Sequence, residues 1–316
     1  MHQFGLLVLA VLLSVFFVAP STHGAAVLIQ ADDDLSEEHY EAEVQCRTFD
    51  PPENKCLPQK CKRTVKDDIF SEADILKLRE IAAKGFATRG EGAGGPTILD
   101  INTGYIRDPA GLDNLFNREG AGVIYTPEDF AHYGQIIAKL RGEVMSVTGA
   151  QDLFFTAPTF ITKLDGRAGW EPKEWHDQYW HVHADRNNTA HYHYSGLLYL
   201  SMYGEDFAKG RVLFYDAESS AVEQVVEPRP GRVLIFTSGL ENPHKVERVT
   251  SGQRLVLAFW FTCDPAKQFE IFLDGQAHTA FSQKVGASIR SAQAQKARQV
   301  AYEGEGKSAV GDAQDL

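Results

Sequence analysis

Five of the eleven histidines fall between positions 176 and 193: His176, His181, His183, His191 and His193. Neutral imidazole is the commonest metal ligand and titrates near neutrality, so a cluster of this kind is where metal or acid–base chemistry is to be sought. Within it, His183-Ala184-Asp185 sets an imidazole and a carboxylate two positions apart. In an extended strand alternate side chains share a face, so His181, His183 and Asp185 are expected to project together. A further isolated histidine, His244, follows Asn242-Pro243 and opens another run. Two imidazoles and one carboxylate make a facial triad, which leaves three positions open on a six-coordinate iron. Any one of these histidines alone reads better as a surface or core residue; it is the spaced set that points to a metal. His181 could support the ligands from behind or compete with His183 for the ligand role, and the pattern favours His183.

Ten residues after His244 stands Arg254, at the head of Arg254-Leu255-Val256-Leu257-Ala258-Phe259-Trp260-Phe261. That run is apolar on both faces and so belongs to a buried strand, where a charge is costly unless paired. Guanidinium binds a carboxylate through two parallel hydrogen bonds. An internal aspartate or glutamate would satisfy it, and so would the distal carboxylate of 2-oxoglutarate. In the second case the 2-oxo acid takes two of the open metal positions and dioxygen the third. Two other classes compete: a cupin-like metal enzyme of different chemistry, and a non-catalytic jelly-roll module that binds a glycan or protein. In the latter His183, Asp185 and His244 would be scattered in space.

Short β-rich runs must carry these residues: Thr156 to Leu164, Tyr179 to Ala184, Gly196 to Met202, Arg211 to Tyr215, Val222 to Val226, Arg232 to Phe236, His244 to Val249 and Arg254 to Phe261. At this spacing, with Pro230-Gly231 as a turn, they point to a sandwich or jelly roll. Two helices precede them. One is capped by Ser71 with Asp74, has Ile75, Leu76, Leu78, Ile81 and Ala82 as its stripe, and is expected to stop at Gly85. The other starts at Thr126-Pro127-Glu128 and runs to Thr148-Gly149. Gly90 to Gly95 lacks the ending of a phosphate-binding loop and reads as a connection. The expected class is therefore α+β, a β domain with supporting N-terminal helices.

The chain ends bound the setting. Phe4 to Ala19 is apolar apart from Gly5 and Ser14, short for a bilayer span of about 20 residues. It reads as a signal peptide cleaved near Gly24 or as an uncleaved anchor, and either sends the chain into the secretory pathway. Cys46, Cys56, Cys61 and Cys263 suggest disulfides, in any of three pairings; the spacings do not suit zinc. Asn187-Asn188-Thr189 is a glycosylation sequon beside the presumed metal ligands. A net charge of −12 excludes the basic surplus that nucleic-acid binding needs.

The order His-x-Asp, about sixty residues, His, ten residues, then Arg resembles the catalytic domain of prolyl 4-hydroxylase alpha subunits. The likeness covers residues 155 to 265 well and 61 to 150 only in outline. It implies a double-stranded β-helix in which His183, Asp185 and His244 hold Fe(II) and Arg254 holds 2-oxoglutarate. Tyr199 is then a hydrogen-bonding partner of the co-substrate, its alternative being ordinary aromatic core. Where collagen-type enzymes carry Lys, this chain has Arg254, which bears on subfamily rather than mechanism. The implied reaction hydroxylates a C–H bond in a peptidyl, prolyl-type substrate with release of succinate and CO2, using O2 and ascorbate. A peptide or protein partner is expected and nucleic acid is not; a membrane enters only through an uncleaved anchor, and oligomeric state is open. Trp170, Trp175 and Trp180 could grip an extended substrate or simply pack. The expected divisions are 1–24 (signal or anchor), 25–60 (acidic, extended or loose, Cys-containing), 61–150 (helical support), 151–266 (dioxygenase domain) and 267–316 (helical and polar tail). The expected location is the endoplasmic reticulum or Golgi lumen, or outside the cell.

Overall fold

A computed structural model describes residues 25–47, 56–58, 60–90, 94–117, 124–156, 159–174 and 177–269. The N-terminal run read as a signal or anchor, Pro51-Pro52, Trp175, His176 and the tail beyond Phe269 fall outside them. In chain order the elements are β1 (Val27–Ile29), β2 (Tyr40–Val44), β3 (Cys61–Lys66), α1 (Glu72–Ala87), β4 (Gly95–Leu99), β5 (Tyr105–Asp108), β6 (Gly111–Asn114) and α2 (Pro127–Thr148). They continue with β7 (Phe154–Phe155), β8 (Phe160–Asp165), α3 (Asp185–Asn188), β9 (Tyr194–Tyr199), β10 (Phe207–Ala208), β11 (Val212–Tyr215), β12 (Val222–Val226), β13 (Val233–Thr237), β14 (His244–Val246) and β15 (Ser251–Thr262).

Two sheets form the body. The larger has the order β2-β3-β13-β9-β15-β8-β4-β5-β6, and the smaller β1-β12-β11-β14. At the centre of the large sheet the neighbours β3-β13, β13-β9, β9-β15 and β15-β8 are far apart in sequence, as in a double-stranded β-helix. Period-two alternation builds both faces of the large sheet. On β15, Leu255, Leu257, Phe259 and Phe261 point out toward the helices, into the core that holds Leu78, Ile81, Tyr133 and Leu140. Val256 points inward with Tyr199, Leu234 and Phe236, against Val212, Phe214 and Val226 of the small sheet. Arg254 and Trp260 share the parity of Val256 and so face this inner core.

The helices begin as the sequence dictates. Ser71 and Asp74 exchange hydrogen bonds in a capping box at the start of α1, and Thr126 and Asp129 do the same for α2. Each cap is worth about 1 kcal/mol. Gly149, at φ 71°, ends α2 in the left-handed conformation.

Several expectations are corrected. Helix α1 does not stop at Gly85 but runs on to Ala87. Gly85 is there because a Cβ would lie 2.3 Å from Tyr125 Oη and 2.6 Å from Leu99 Cδ2. Of the two readings of residues 25–47, extended rather than loose holds for its strands: β1 pairs in parallel with β12, and β2 lies antiparallel to β3. The region 61–150 contributes strands as well as helices, since β3 to β6 join the large sheet. Residues 179–184 are not a strand; only His183 is bridged, to His244. The chain turns there, with a one-turn helix from Asp185.

Candidate metal centre

His183 and His244 face each other across a narrow backbone bridge, each N–H donating to the other's carbonyl at 2.9 and 2.8 Å. Their rings lie 4.5 Å apart, centroid to centroid. Each Nδ1 sits against a backbone carbonyl, His183 against His181 O at 3.1 Å and His244 against Asn242 O at 3.0 Å. A carbonyl only accepts, so both Nδ1 atoms carry the proton and both Nε2 lone pairs are free. Those Nε2 atoms lie 3.5 Å (His183) and 3.9 Å (His244) from Asp185 Oδ1. All three ligand atoms fall within 4.8 Å of one another, near the span of two metal–ligand bonds of about 2.1 Å each.

The carboxylate is aimed as carefully as the imidazoles. Trp260 Nε1–H donates to Asp185 Oδ2 at 3.0 Å, which leaves Oδ1 turned toward the two rings. Burial favours the protonated acid, but His244, His183 and Ser195 together hold the Asp185 carboxyl well below the usual carboxylate range. Ser195 Oγ is itself 2.7 Å from Ser238 Oγ. Burial also opposes charge on both imidazoles: it pushes His244 down, whereas on His183 the Asp185 carboxylate outweighs it and the pKa rises.

His244 is fixed from behind by Phe236 and Phe214, with ring centroids at 4.8 and 5.6 Å. The turn before it is pinned by Asn242, whose Nδ2 donates to Thr237 O and Oγ1 at 2.8 and 2.9 Å and whose Oδ1 accepts from Arg63 Nε at 2.7 Å. His181 does not join the group; its Nδ1 bonds Gln178 O at 2.7 Å. The reason is the missing strand, since without extended geometry residues 181 and 183 need not share a face.

Among the described residues three arginines are fully enclosed: Arg63, Arg232 and Arg254. Arg232 meets Asp67 with two bonds of 2.9 Å, and Arg63 reaches Glu223 at 3.0 Å as well as Asn242. Arg254 differs. Its Nε and Nη2, and the buried Tyr199 Oη, have no hydrogen-bond partner of good geometry among the described residues. Arg254 Cζ lies 5.5 Å from the Tyr199 ring centroid, and Gly210 leaves room over its stem, where a Cβ would come within 3.0 Å of Arg254 Cδ. Burial pushes the Tyr199 hydroxyl up to about 12 and the Arg254 guanidinium down.

The donors that point inward thus fit a carboxylate beside an N,N,O metal site. Trp260, Ser195, Asn242 and Arg63 went unassigned in the sequence. Trp260 alone had a readable signal, the shared parity with Arg254 along β15. Trp170 and Trp180 pack around Arg248, whose Cζ lies 5.6 and 4.9 Å from their ring centroids. Asn187 is exposed on α3.

A jelly roll bearing this triad at one end and an unpaired inward arginine on β15 defines a class, and comparison agrees. Residues 173–262 match the 2OG-Fe(II) oxygenase superfamily, so the chain carries a domain of that family. It is 38% identical over 214 residues to "2-oxoglutarate and iron-dependent oxygenase domain-containing protein 3" of Mus musculus, covering 66% of each chain. The chain thus spans just under two thirds of that relative's length. Over 72 residues it is 44% identical to prolyl 3-hydroxylase 2 of Rattus norvegicus, 23% of this chain and 10% of that protein. A solved prolyl hydroxylase from Trichoplax adhaerens is a distant likeness: TM-score 0.43 and 14% identity, over 69% of this chain and 86% of that one.

Proposed function

We propose that the protein is an Fe(II)- and 2-oxoglutarate-dependent dioxygenase that hydroxylates a C–H bond in a peptidyl, prolyl-type substrate and releases succinate and CO2. The observation that carries this reading is Arg254, which is enclosed like Arg63 and Arg232 but has no acidic partner among the described residues. A dicarboxylic co-substrate supplies one. His183, Asp185 and His244 would hold the iron, and Arg254 with Tyr199 the distal carboxylate of 2-oxoglutarate. When bound, iron supplies the coupling of dioxygen reduction to decarboxylation of the 2-oxo acid and oxidation of the substrate.

The chain's own part is positioning. Arg254 clamps the co-substrate with donors that cannot deprotonate near neutrality. Tyr199, held protonated by burial, donates its hydroxyl to the same group. Trp260 keeps Asp185 from turning both oxygens to the metal, and the two backbone carbonyls hold the imidazole tautomers. The aromatic inner core beside His244 keeps water from that side of the site. Ascorbate would keep the iron reduced.

Support for a prolyl substrate comes from the stretch shared with prolyl 3-hydroxylase 2, and for a lumenal setting from the disulfides Cys46–Cys61 and Cys56–Cys263. Among the described residues no helix is long and apolar enough to cross a membrane. Incubation with iron(II), 2-oxoglutarate, ascorbate and a library of proline-containing peptides tests the substrate. The expected result is a gain of one oxygen atom on proline, mapped by fragmentation mass spectrometry. Oxygen gained only on another residue, or only on non-peptide acceptors, would sink the prolyl assignment.

A further inference from the structure

On the outer face of the large sheet, where α1 parts from β8 and β15, lies a cleft of about 480 Å³. Its floor is set by register, with Lys163 opposite Leu255 and Asp165 opposite Gln253. Its wall is one stripe of α1 carrying Arg79, Ala83 and Phe86 at the i, i+4, i+7 spacing that brings side chains to one face. Arg167 stands just past the end of β8. Further along the same sheet face the contact between helix and strand is apolar; here it opens and becomes cationic.

Three cations and one carboxylate line this cleft, in a protein of net charge −12. Arg167 lies 3.6 Å from Asp165, and Arg79 lies 3.7 Å from Asp206 across the surface. Lys163 makes no such close pair, although Asp165 and Asp108 act on it from further off. Its ammonium is half-buried 4.9 Å over the ring of Phe86 and forms no ion pair or hydrogen bond with any described residue. Burial pushes its pKa down, so keeping a charge there has a cost that an apolar residue would avoid. A bound anion offsets that cost. Exposed Ala83 and half-buried Leu255, with the edge of buried Phe86 between α1 and the sheet, offer apolar surface beside the charge.

We infer that this cleft is a second ligand site, on the opposite face of β15 from Arg254, which takes an anionic small molecule with an apolar ring. The carboxylate or phosphate group meets Lys163 and Arg167, and the ring lies against Phe86 and Leu255. Calorimetric titration of the full chain with phenyl phosphate, benzoate, inorganic phosphate and benzyl alcohol tests this. Saturable binding is expected for at least one aromatic anion, with a dissociation constant below about 1 mM, weaker for inorganic phosphate and absent for benzyl alcohol.

Lys163→Met should weaken that binding by about tenfold or more, the worth of a charge-assisted hydrogen bond. Arg167→Gln, at an exposed position, should weaken it less and serves if the first variant does not fold. Arg254→Met should leave it unchanged, which separates this cleft from the inner pocket. No saturable binding by either aromatic anion would overturn the inference. So would binding that survives both Lys163→Met and Arg167→Gln, that is lost in Arg254→Met, or that benzyl alcohol matches.

Discussion

Arg254 is enclosed as completely as Arg63 and Arg232, yet its Nε and Nη2 meet no acceptor in good geometry among the described residues. Its effects on folding and on binding should therefore have opposite signs. Arg254→Met removes an uncompensated buried charge and should stabilise the protein without co-substrate by about 1–3 kcal/mol, read as a higher melting temperature. The same variant should raise KM for 2-oxoglutarate by about a hundredfold or more, because a bidentate charged pair is lost. Trp260 works one step further out. Trp260→Phe keeps the ring but frees Asp185 Oδ2, and iron affinity should fall by about 10- to 100-fold, measured by competition with a metallochromic chelator. At this scale the sequence was most legible where a residue broke its context: a charge in an apolar strand, or histidines at fixed spacing. Asn242 and Ser195 are polar residues in ordinary places, and only the fold brings them behind the ligands.

Elements were legible where local chemistry decides them. The capping boxes at Ser71 and Thr126 are built from residues three apart, so they could be read directly. Segment 179–184 was misread because β-prone residues there make turns set by distant partners, with a single bridge to His244. Gly85 was misread as a stop because a glycine demanded by close packing looks like one demanded by a turn. The hairpin of β4 and β5 carries a pH consequence. Asp100, buried in its turn, accepts the backbone N–H groups of Asn102 and Thr103 at 2.9 and 3.3 Å, yet burial raises its pKa to about 6. A carboxyl whose folded pKa exceeds its unfolded value of about 3.9 binds its proton more tightly when folded. Stability is then lost as pH rises from about 4 to 6. Asp100→Asn should stabilise the protein at pH 7 by about 2–3 kcal/mol and by less at pH 5, with denaturant midpoints at the two values as the check.

The whole molecule is closed by two disulfides of very different reach. Cys46–Cys61 ties the ends of the β2–β3 pair across a separation of 15, while Cys56–Cys263 joins the segment before β3 to the end of β15 across 207. In the chain-entropy account a closed loop stabilises by restricting the unfolded chain, about 3 kcal/mol for the first and about 5 for the second. Replacing Cys56 and Cys263 by serine should therefore cost more in guanidinium unfolding than the same change at Cys46 and Cys61. Pairing was not legible in the sequence, because it depends on β15 returning beside the start of the domain. The jelly-roll class was legible, since eight short β-rich runs with turn residues between them leave few other ways to bury both faces.

Succinate release from 2-oxoglutarate bears most directly on the assignment of the site, because such turnover can proceed without the prime substrate. Purified protein supplied with iron(II) and ascorbate should release succinate and bind one equivalent of iron. His183→Ala should lose both the iron and the release, whereas Arg254→Met should keep the iron and lose the release at low 2-oxoglutarate. Failure of the wild-type protein to bind iron, or release undiminished in both variants, would contradict the placement of metal and co-substrate at these residues.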